Sequence, residues 1–163
     1  QLILPDEQVR RVTFAQGDVT DQARLTDALR RHSITHVIHL AGLQVPTCRA
    51  NPILGATVNV LGTLAVFEAA KAVGEQVKRV VYASSAAVFG PPQGGRGKAE
   101  GGEGPARSAL PLPPSALSLG DDVLLQPGTH YGVFKVCNEG NARIYFQDHG
   151  LSSVGLRPWT VYG

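Results

Sequence analysis

The chain is organised around one stretch, THYGVFKVCNEGNARIYFQDHG, which occupies residues 129–150. This stretch predicts a helix, because Thr129 is a favourable N-cap and Gly150 suits the position after a helix C-terminus. On a helix, Tyr131 and Lys135 lie on the same face, one turn apart. A neighbouring ammonium favours the phenolate and lowers a tyrosine pKa from about 10. Tyr131 is therefore a candidate for proton transfer with a substrate oxygen. The alternative is an amphipathic helix with an incidental Tyr and Lys.

The composition is that of one globular domain. The chain has 163 residues, 43% of them hydrophobic and 17% charged, which is enough to bury a core. A net charge of +2, with 15 scattered Lys and Arg, argues against a nucleic-acid partner. No uninterrupted apolar run approaches the roughly 20 residues of a membrane span, so we expect no membrane partner. The two cysteines, Cys48 in a predicted loop and Cys137 in a predicted helix, imply no disulfide framework, and we expect a cytoplasmic protein.

Strand and helix patterns alternate along the chain. The predicted strands are 12–15, 36–41, 78–83 and 152–156, and the predicted helices are 21–32, 52–73 and 129–150. This alternation predicts an α/β fold with a doubly wound parallel sheet. The helix at 52–73 is apolar nearly all round, which predicts burial on more than one side. On the helix at 129–150, Glu139 and Arg143 have the spacing of an ion pair.

One segment interrupts the alternation. Residues 91–128 hold 8 Gly and 7 Pro among 38 residues. Such a composition buries too little apolar surface to offset the entropy of ordering it. We therefore expect a long mobile loop, inserted within the domain, that joins the strand at 78–83 to the helix at 129–150.

Side chains with chemical potential follow the strand at 78–83. Ser84 and Ser85 stand just past its carboxyl end, and Tyr131 and Lys135 open the next helix. Ligands of open α/β sheets lie outside the carboxyl ends of the strands, so we expect these groups to converge on one crevice. We expect no metal site, because the sequence has no ligand cluster of recognised spacing. His36 and His39, three apart on a strand, point to opposite faces.

Five stretches occur in an order that is typical of one family. They are GDVTD at 17–21, HLAG at 39–42, YASSAAVFG at 82–90, YGVFK at 131–135 and LRPWTVYG at 156–163. With these stretches the chain resembles the extended short-chain dehydrogenase/reductase family, the NAD-dependent epimerases and dehydratases that act on nucleotide sugars. The resemblance covers most of the chain outside 91–128. It implies that 1–163 is a partial NAD(P)-binding, Rossmann-like domain whose sheet is incomplete.

The resemblance implies three catalytic roles. Tyr131 matches the family's proton-transfer residue, and Lys135 matches the lysine that holds the nicotinamide ribose and lowers the tyrosine pKa. Ser85 matches the hydroxyl that is hydrogen-bonded to the reacting oxygen, with Ser84 as the second candidate. Either serine could instead satisfy backbone groups at the strand end.

The resemblance also implies a path for NAD, with NADP as the alternative. Asp18 matches the acid that accepts a hydrogen bond from the adenine amine, although Gly-Asp is equally an ordinary turn signal. The other matching positions are Val19 beside the adenine ring, Leu40, Ala41 and Gly42 along the ribose and phosphates, and Asn59 in a structural or cofactor-side role. Thr160 stands where the family often carries an Asn that contacts the substrate diphosphate.

These assignments lead to two hypotheses of different kinds. The first is an NAD-dependent epimerase, dehydratase or dehydrogenase that acts on a sugar or nucleotide-sugar hydroxyl or carbonyl. The second is a non-catalytic Rossmann remnant that serves as an interaction or scaffold module. Gly17 is the sole glycine before Asp18 and the chain contains no methionine, so we expect a fragment that lacks the family's Gly-rich turn. Members of the family often dimerise through the helices at 53–73 and 131–149, and we expect a homodimer here.

Overall fold

The structure is a computed structural model that describes residues 11–90 and 124–159. Within these ranges, helices flank one sheet of three strands. The helices are α1 (Gln22–Arg31), α2 (Val45–Ala50), α3 (Pro52–Ala72) and α4 (His130–His149). The strands are β1 (His36–His39), β2 (Arg79–Ala83) and β3 (Ser153–Leu156), and two short 3-10 turns lie at Gly74–Gln76 and Ala86–Phe89.

The sheet has the order β1-β2-β3, with both pairs parallel. Val37 lies opposite Val80, and Val81 lies opposite Val154. The predicted parallel α/β architecture is therefore confirmed. The core forms where α3 and α4 pack on the central strand, around Phe67, Val80 and Tyr82, with the Tyr145 ring stacked on Phe67 at 5.0 Å.

The predicted strand at 12–15 is wrong. Residues 12–17 form neither helix nor strand, and the Phe14 side chain is 87% exposed. Alternating apolar residues give a segment a face to bury, but a strand also needs a neighbouring backbone to receive its hydrogen bonds. In the part of the chain that the structure describes, no strand pairs with this segment.

Helix α3 begins and ends close to its predicted bounds. The Asn51 side chain accepts a hydrogen bond of 3.0 Å from the Leu54 amide and so caps it. Thr57–Leu61 is a π-helical turn within α3 that periodicity did not predict. Among the described helices, α3 is the one that is long and apolar enough to cross a membrane. Half of its apolar stretch is buried inside the protein.

Three further predictions have definite outcomes. Helix α4 matches the predicted helix, with Thr129 as N-cap and Gly150 in the left-handed conformation. Cys48 lies in α2 and is buried, so its predicted loop position is wrong. The predicted pair of Glu139 with Arg143 is wrong, because Glu139 pairs with Arg157. Arg157 donates two parallel hydrogen bonds to this partly buried carboxylate, and such a pair is more stable than one with an exposed arginine on the same helix. Residues 91–123 of the predicted insertion, and Thr160, lie outside the described residues.

Candidate active site

The first turn of α4 carries Tyr131 and Lys135 on one face. The Thr129 hydroxyl accepts a hydrogen bond of 3.0 Å from the Gly132 amide, and this N-cap begins the helix at His130. The Lys135 ammonium lies 5.4 Å from the centroid of the Tyr131 ring. It also donates a hydrogen bond of 2.6 Å to the carbonyl oxygen of Ala83, the last residue of β2. The structure therefore brings together the two residues that helix periodicity paired, at the carboxyl end of the central strand.

The Lys135 side chain is unusually buried for a lysine. It is 6% exposed, and burial lowers the pKa of its amino group. Lysine side chains are almost never fully buried unless they are paired. Lys135 is paired with the Ala83 carbonyl oxygen, so it is not an ordinary surface lysine.

The two serines after β2 have different environments. Ser84 is buried, and its hydroxyl donates a hydrogen bond of 2.5 Å to Glu139 Oε1. Glu139 in turn accepts two hydrogen bonds of 2.8 Å from Arg157. Burial alone would raise the pKa of Glu139, but the hydrogen bonds from Arg157 and Ser84 bring it below its usual value. Ser84 thus belongs to a cluster that joins β2, α4 and the residue after β3.

Ser85 is half-buried and caps the 3-10 turn Ala86–Phe89. Its hydroxyl oxygen accepts a hydrogen bond of 3.1 Å from the Ala87 amide. This is the backbone role that a serine at a strand end can play, but the hydroxyl keeps its own proton to donate. Among the described residues, no hydrogen bond joins Ser85 to Tyr131. Of the two serines, Ser85 is the less buried.

Gly132 allows the start of α4 to approach the turn that follows Ser85. A Cβ at this position would lie 2.5 Å from the carbonyl oxygen of Ala87 and 2.8 Å from Pro127 Cβ. Only a residue without a side chain fits this contact, which sets the separation between the serine turn and Tyr131. Sequence reasoning missed this role. The available signal was a glycine inside a helix, where it is unfavourable unless packing requires it.

The loop after β1 lies beside Lys135. The exposed residues Leu40, Ala41 and Gly42 continue β1 at its carboxyl end. A Cβ on Gly42 would lie 3.3 Å from Asn59 Oδ1 and 3.9 Å from Lys135 Nζ. The structure therefore places Gly42, Asn59 and Lys135 in one neighbourhood, and the missing side chain keeps the space between them open.

Asn59 holds this loop from within the core. Its Oδ1 accepts a hydrogen bond of 2.6 Å from the Leu43 amide, and its Nδ2 donates one of 2.9 Å to the Leu43 carbonyl oxygen. The side chain of Asn59 is fully buried. Of the two roles considered for Asn59, it therefore has the structural one: its side chain holds the backbone of the loop with two hydrogen bonds.

Asp18 and Val19 form a turn before α1. Asp18 Oδ1 accepts hydrogen bonds from the amide and hydroxyl of Thr20, at 2.8 and 2.7 Å, and these bonds lower the pKa of the Asp18 carboxyl group. The turn role of Asp18 is thus realised, while Oδ2 accepts no hydrogen bond from the described residues. Val19 packs on α3, where a Cβ on Gly62 would lie 2.7 Å from Val19 Cγ1. This contact turns the Val19 side chain toward the helix.

The described residues contain no group of three His, Cys, Asp or Glu side chains that could hold a metal ion. His36 is exposed and His39 is buried, as the strand period predicted. Burial, together with the charge of Lys135, lowers the pKa of His39 to about 4. His39 is therefore neutral at pH 7. An open cleft of about 450 Å³ lies elsewhere, lined by Tyr82, Glu139, Gly155, Leu156 and Arg157; it shares none of the predicted site residues.

Comparison with known proteins gives consistent matches. The sequence model of the NAD dependent epimerase/dehydratase family matches residues 4–163. UDP-glucose 4-epimerase of Klebsiella pneumoniae is 42% identical over 82 residues, which are 50% of this chain and 58% of that protein. The crystal structure of UDP-glucose 4-epimerase from Brucella ovis in complex with NAD superposes with a TM-score of 0.71 at 27% identity, over 94% of this chain and 40% of that chain.

A second solved structure gives the same result. UDP-N-acetylglucosamine 4-epimerase from Methanobrevibacter ruminantium M1, in complex with UDP-N-acetylmuramic acid, has a TM-score of 0.71 at 26% identity. The match covers 93% of this chain and 40% of that chain. The chain therefore spans less than half the length of these two solved structures.

Proposed function

Since the chain belongs to the NAD dependent epimerase/dehydratase family, we propose that it carries the proton-transfer and nicotinamide-side residues of a sugar epimerase or dehydratase. The observation that carries this proposal is the buried ammonium of Lys135, held between the Ala83 carbonyl oxygen and the Tyr131 ring. This pair lies at the carboxyl end of the central strand, where open α/β sheets bind their ligands.

The reaction is the reversible oxidation of a sugar carbinol to a carbonyl. NAD, when bound, supplies the acceptor for the hydride that leaves the carbon. Tyr131 takes the hydroxyl proton as the carbonyl forms and gives one back in the reverse direction. The ammonium of Lys135 lies beside the Tyr131 ring, 5.4 Å from its centroid. Ser85 donates a hydrogen bond from its hydroxyl to the reacting oxygen and orients it, without giving up its proton.

The residues present fit a dinucleotide at both of its ends. Lys135 has donors for ribose hydroxyls, since only one of its three N–H groups is used by Ala83. The exposed backbone at Leu40, Ala41 and Gly42, with no Cβ at Gly42, leaves room for a ligand beside that ammonium. At the other end, Asp18 Oδ2 is available to accept from an adenine amine.

The substrate in this proposal is a nucleotide sugar. The relatives named above are, by their names, epimerases of UDP-sugars, and one was solved with a UDP-linked ligand. In this proposal the protein works in the cytoplasm as a soluble enzyme. It forms a homodimer through α3 and α4. These two helices expose six large apolar side chains: Ile53, Leu54, Leu61, Val133, Ile144 and Phe146.

The test is a calorimetric titration of NAD into the complete gene product and two lysine variants. Lys135→Met removes the buried ammonium, and we expect NAD affinity to fall at least tenfold. Lys71→Met is the matched control, because Lys71 pairs with Glu68 on the surface of α3 and away from the loop after β1. Equal NAD affinity in all three proteins would contradict the proposal. A complete gene product that binds neither NAD nor NADP would favour the scaffold hypothesis.

A further inference from the structure

The π-helical turn of α3 presents a backbone carbonyl to side chains from two elements. The carbonyl oxygen of Asn59, in the middle of Thr57–Leu61, accepts a hydrogen bond of 2.7 Å from the Thr63 hydroxyl and one of 2.9 Å from Asn138 Nδ2. π-helical turns are rare insertions and frequently occur at functional sites. In this chain the turn is held from α4, the helix that carries Tyr131 and Lys135.

The Thr63 hydroxyl forms the centre of this network. It donates its proton to the Asn59 carbonyl oxygen and lies 3.2 Å from Asn138 Nδ2 and 3.0 Å from His39 Nε2. Since the hydroxyl proton is already used, both nitrogens must donate to the Thr63 oxygen. His39 is therefore the tautomer with its proton on Nε2. The network joins β1, α3 and α4 without reaching the surface.

Asn138 is costly at this position. It is 1% exposed, and its Oδ1 accepts no hydrogen bond from the described residues. A buried acceptor without a partner costs about 1–3 kcal/mol relative to a satisfied one. A leucine of similar size would avoid that cost. An asparagine here therefore contributes through its two donated hydrogen bonds. One ends on the Asn59 carbonyl oxygen in the π-helical turn, and the other ends on the Thr63 hydroxyl, two residues beyond that turn.

The other end of the turn reaches the loop beside Lys135. The side chain of Asn59 clamps both backbone groups of Leu43, as described above. The rotation of the π-helical turn decides where that side chain points. Asn138 thus connects to Leu43 in the 40–43 loop through Asn59, while its bond to Thr63 leads to His39, the residue before this loop.

We propose that Asn138 is a positioning residue: by fixing the π-helical turn of α3, it aims the Asn59 side chain at Leu43 and holds the 40–43 loop beside Lys135. That this loop faces a dinucleotide rests on the proposed function. The positioning itself does not.

The experiment measures amide hydrogen exchange in the complete gene product. Asn138→Leu removes both donors and the unsatisfied acceptor. We expect the protection of the Leu43 amide to fall at least tenfold relative to that of the Val80 amide, which donates to the Ser152 carbonyl oxygen in the sheet. Asn141→Leu is the matched control on the same helix, because within 11–90 and 124–159 the Asn141 side chain donates to Cys137 Sγ, at 3.6 Å, and to no other group. It should leave the Leu43 to Val80 ratio unchanged.

A second variant keeps the proposal testable if Asn138→Leu does not fold. Thr63→Val preserves shape but removes the hydroxyl at the centre of the network, and it should lower Leu43 protection in the same selective way. Leu43 protection that is unchanged, or that falls only in parallel with Val80, would overturn the proposal in either variant.

NAD titration of the same samples separates this inference from the proposed function. If the wild type binds NAD and Asn138→Leu keeps full Leu43 protection, the inference alone is overturned. If the wild type does not bind NAD but Leu43 protection falls selectively, the proposed function is overturned and the positioning role stands.

Discussion

The ammonium of Lys135 donates a hydrogen bond of 2.6 Å to the carbonyl oxygen of Ala83. This bond ties the first turns of α4 to the carboxyl end of β2 from inside the protein. It orients the remaining N–H groups of Lys135 beside the Tyr131 ring and the 40–43 loop.

Tyr131→Phe should lower the turnover of the complete gene product by about 10²–10⁴-fold, because it deletes the proton-transfer group alone. NAD affinity should stay within about twofold of the wild type. Tyr145→Phe, further along α4, loses a hydrogen bond to Glu68 away from the site and should keep its turnover. Steady-state kinetics on UDP-sugars and calorimetry would check both. Turnover of Tyr131→Phe within a few-fold of the wild type would refute the role of Tyr131.

Two serine variants should separate stability from catalysis. Ser84→Ala removes a hydrogen bond to the partly buried Glu139 carboxylate, and should lower the free energy of unfolding by about 1.5–3 kcal/mol. Ser85→Ala removes the cap of the 3-10 turn at a half-buried site. It should lower turnover by a larger factor, for the same loss of unfolding free energy, than Ser84→Ala does. Urea unfolding measured beside turnover would compare them. A larger loss of turnover per kcal/mol of stability in Ser84→Ala would make Ser84 the reacting serine.

Gly132→Ala should be destabilising, because the new Cβ meets the Ala87 carbonyl oxygen at 2.5 Å. We expect a loss of about 1–3 kcal/mol in the free energy of unfolding, as for overpacking elsewhere. Turnover should also fall as the serine turn moves away from Tyr131. Gly140→Ala is the control on the same helix, since a Cβ there meets nothing within 4 Å. It should stabilise the helix by up to about 1 kcal/mol. Equal effects of the two substitutions on unfolding would contradict the packing argument.

Acidification should destabilise the protein through His39. Its folded-state pKa is about 4 against an ordinary value of 6.5. Between these two pH values, the His39 side chain is protonated in the unfolded chain but not in the folded protein. Stability is therefore full above pH 6.5 and falls as the pH drops toward 4, by up to about 3 kcal/mol. His39→Gln should flatten this pH dependence, measured by urea unfolding between pH 4.5 and 7.5. His36→Gln, on the exposed face of the same strand, should leave it unchanged.

Phe146→Glu should convert a dimer into a monomer, because it introduces a charge into the apolar surface that α3 and α4 expose. Sedimentation equilibrium at micromolar concentration would measure the change. Gln147→Glu, the exposed neighbour of Phe146, adds the same charge beside that surface and should leave the dimer intact. A wild type that is monomeric at these concentrations would contradict the prediction.

The sequence alone determined those features that depend on neighbours in the chain. The bounds of α4 follow from Thr129 and Gly150, because capping involves only the residues at a helix end. The meeting of Tyr131 with Lys135 follows from the helix period, and the opposite environments of His36 and His39 follow from the strand period. The parallel sheet follows from the alternation of elements, since short connections and right-handed crossovers leave few other topologies.

Only the tertiary structure decided which groups meet across long separations. The 12–15 segment has the pattern of a strand, but among the described residues no strand lies beside it. Glu139 pairs with Arg157, 18 residues away, and not with Arg143 on its own helix. The full burial of Ser84 and the half burial of Ser85 depend on where α4 packs. The π-helical turn is also a tertiary feature, because its carbonyl is satisfied by Asn138 from another helix. The hydrophobic pattern predicts which face of its helix or strand each residue occupies. Which residue it contacts there is set by packing between elements that are distant in sequence.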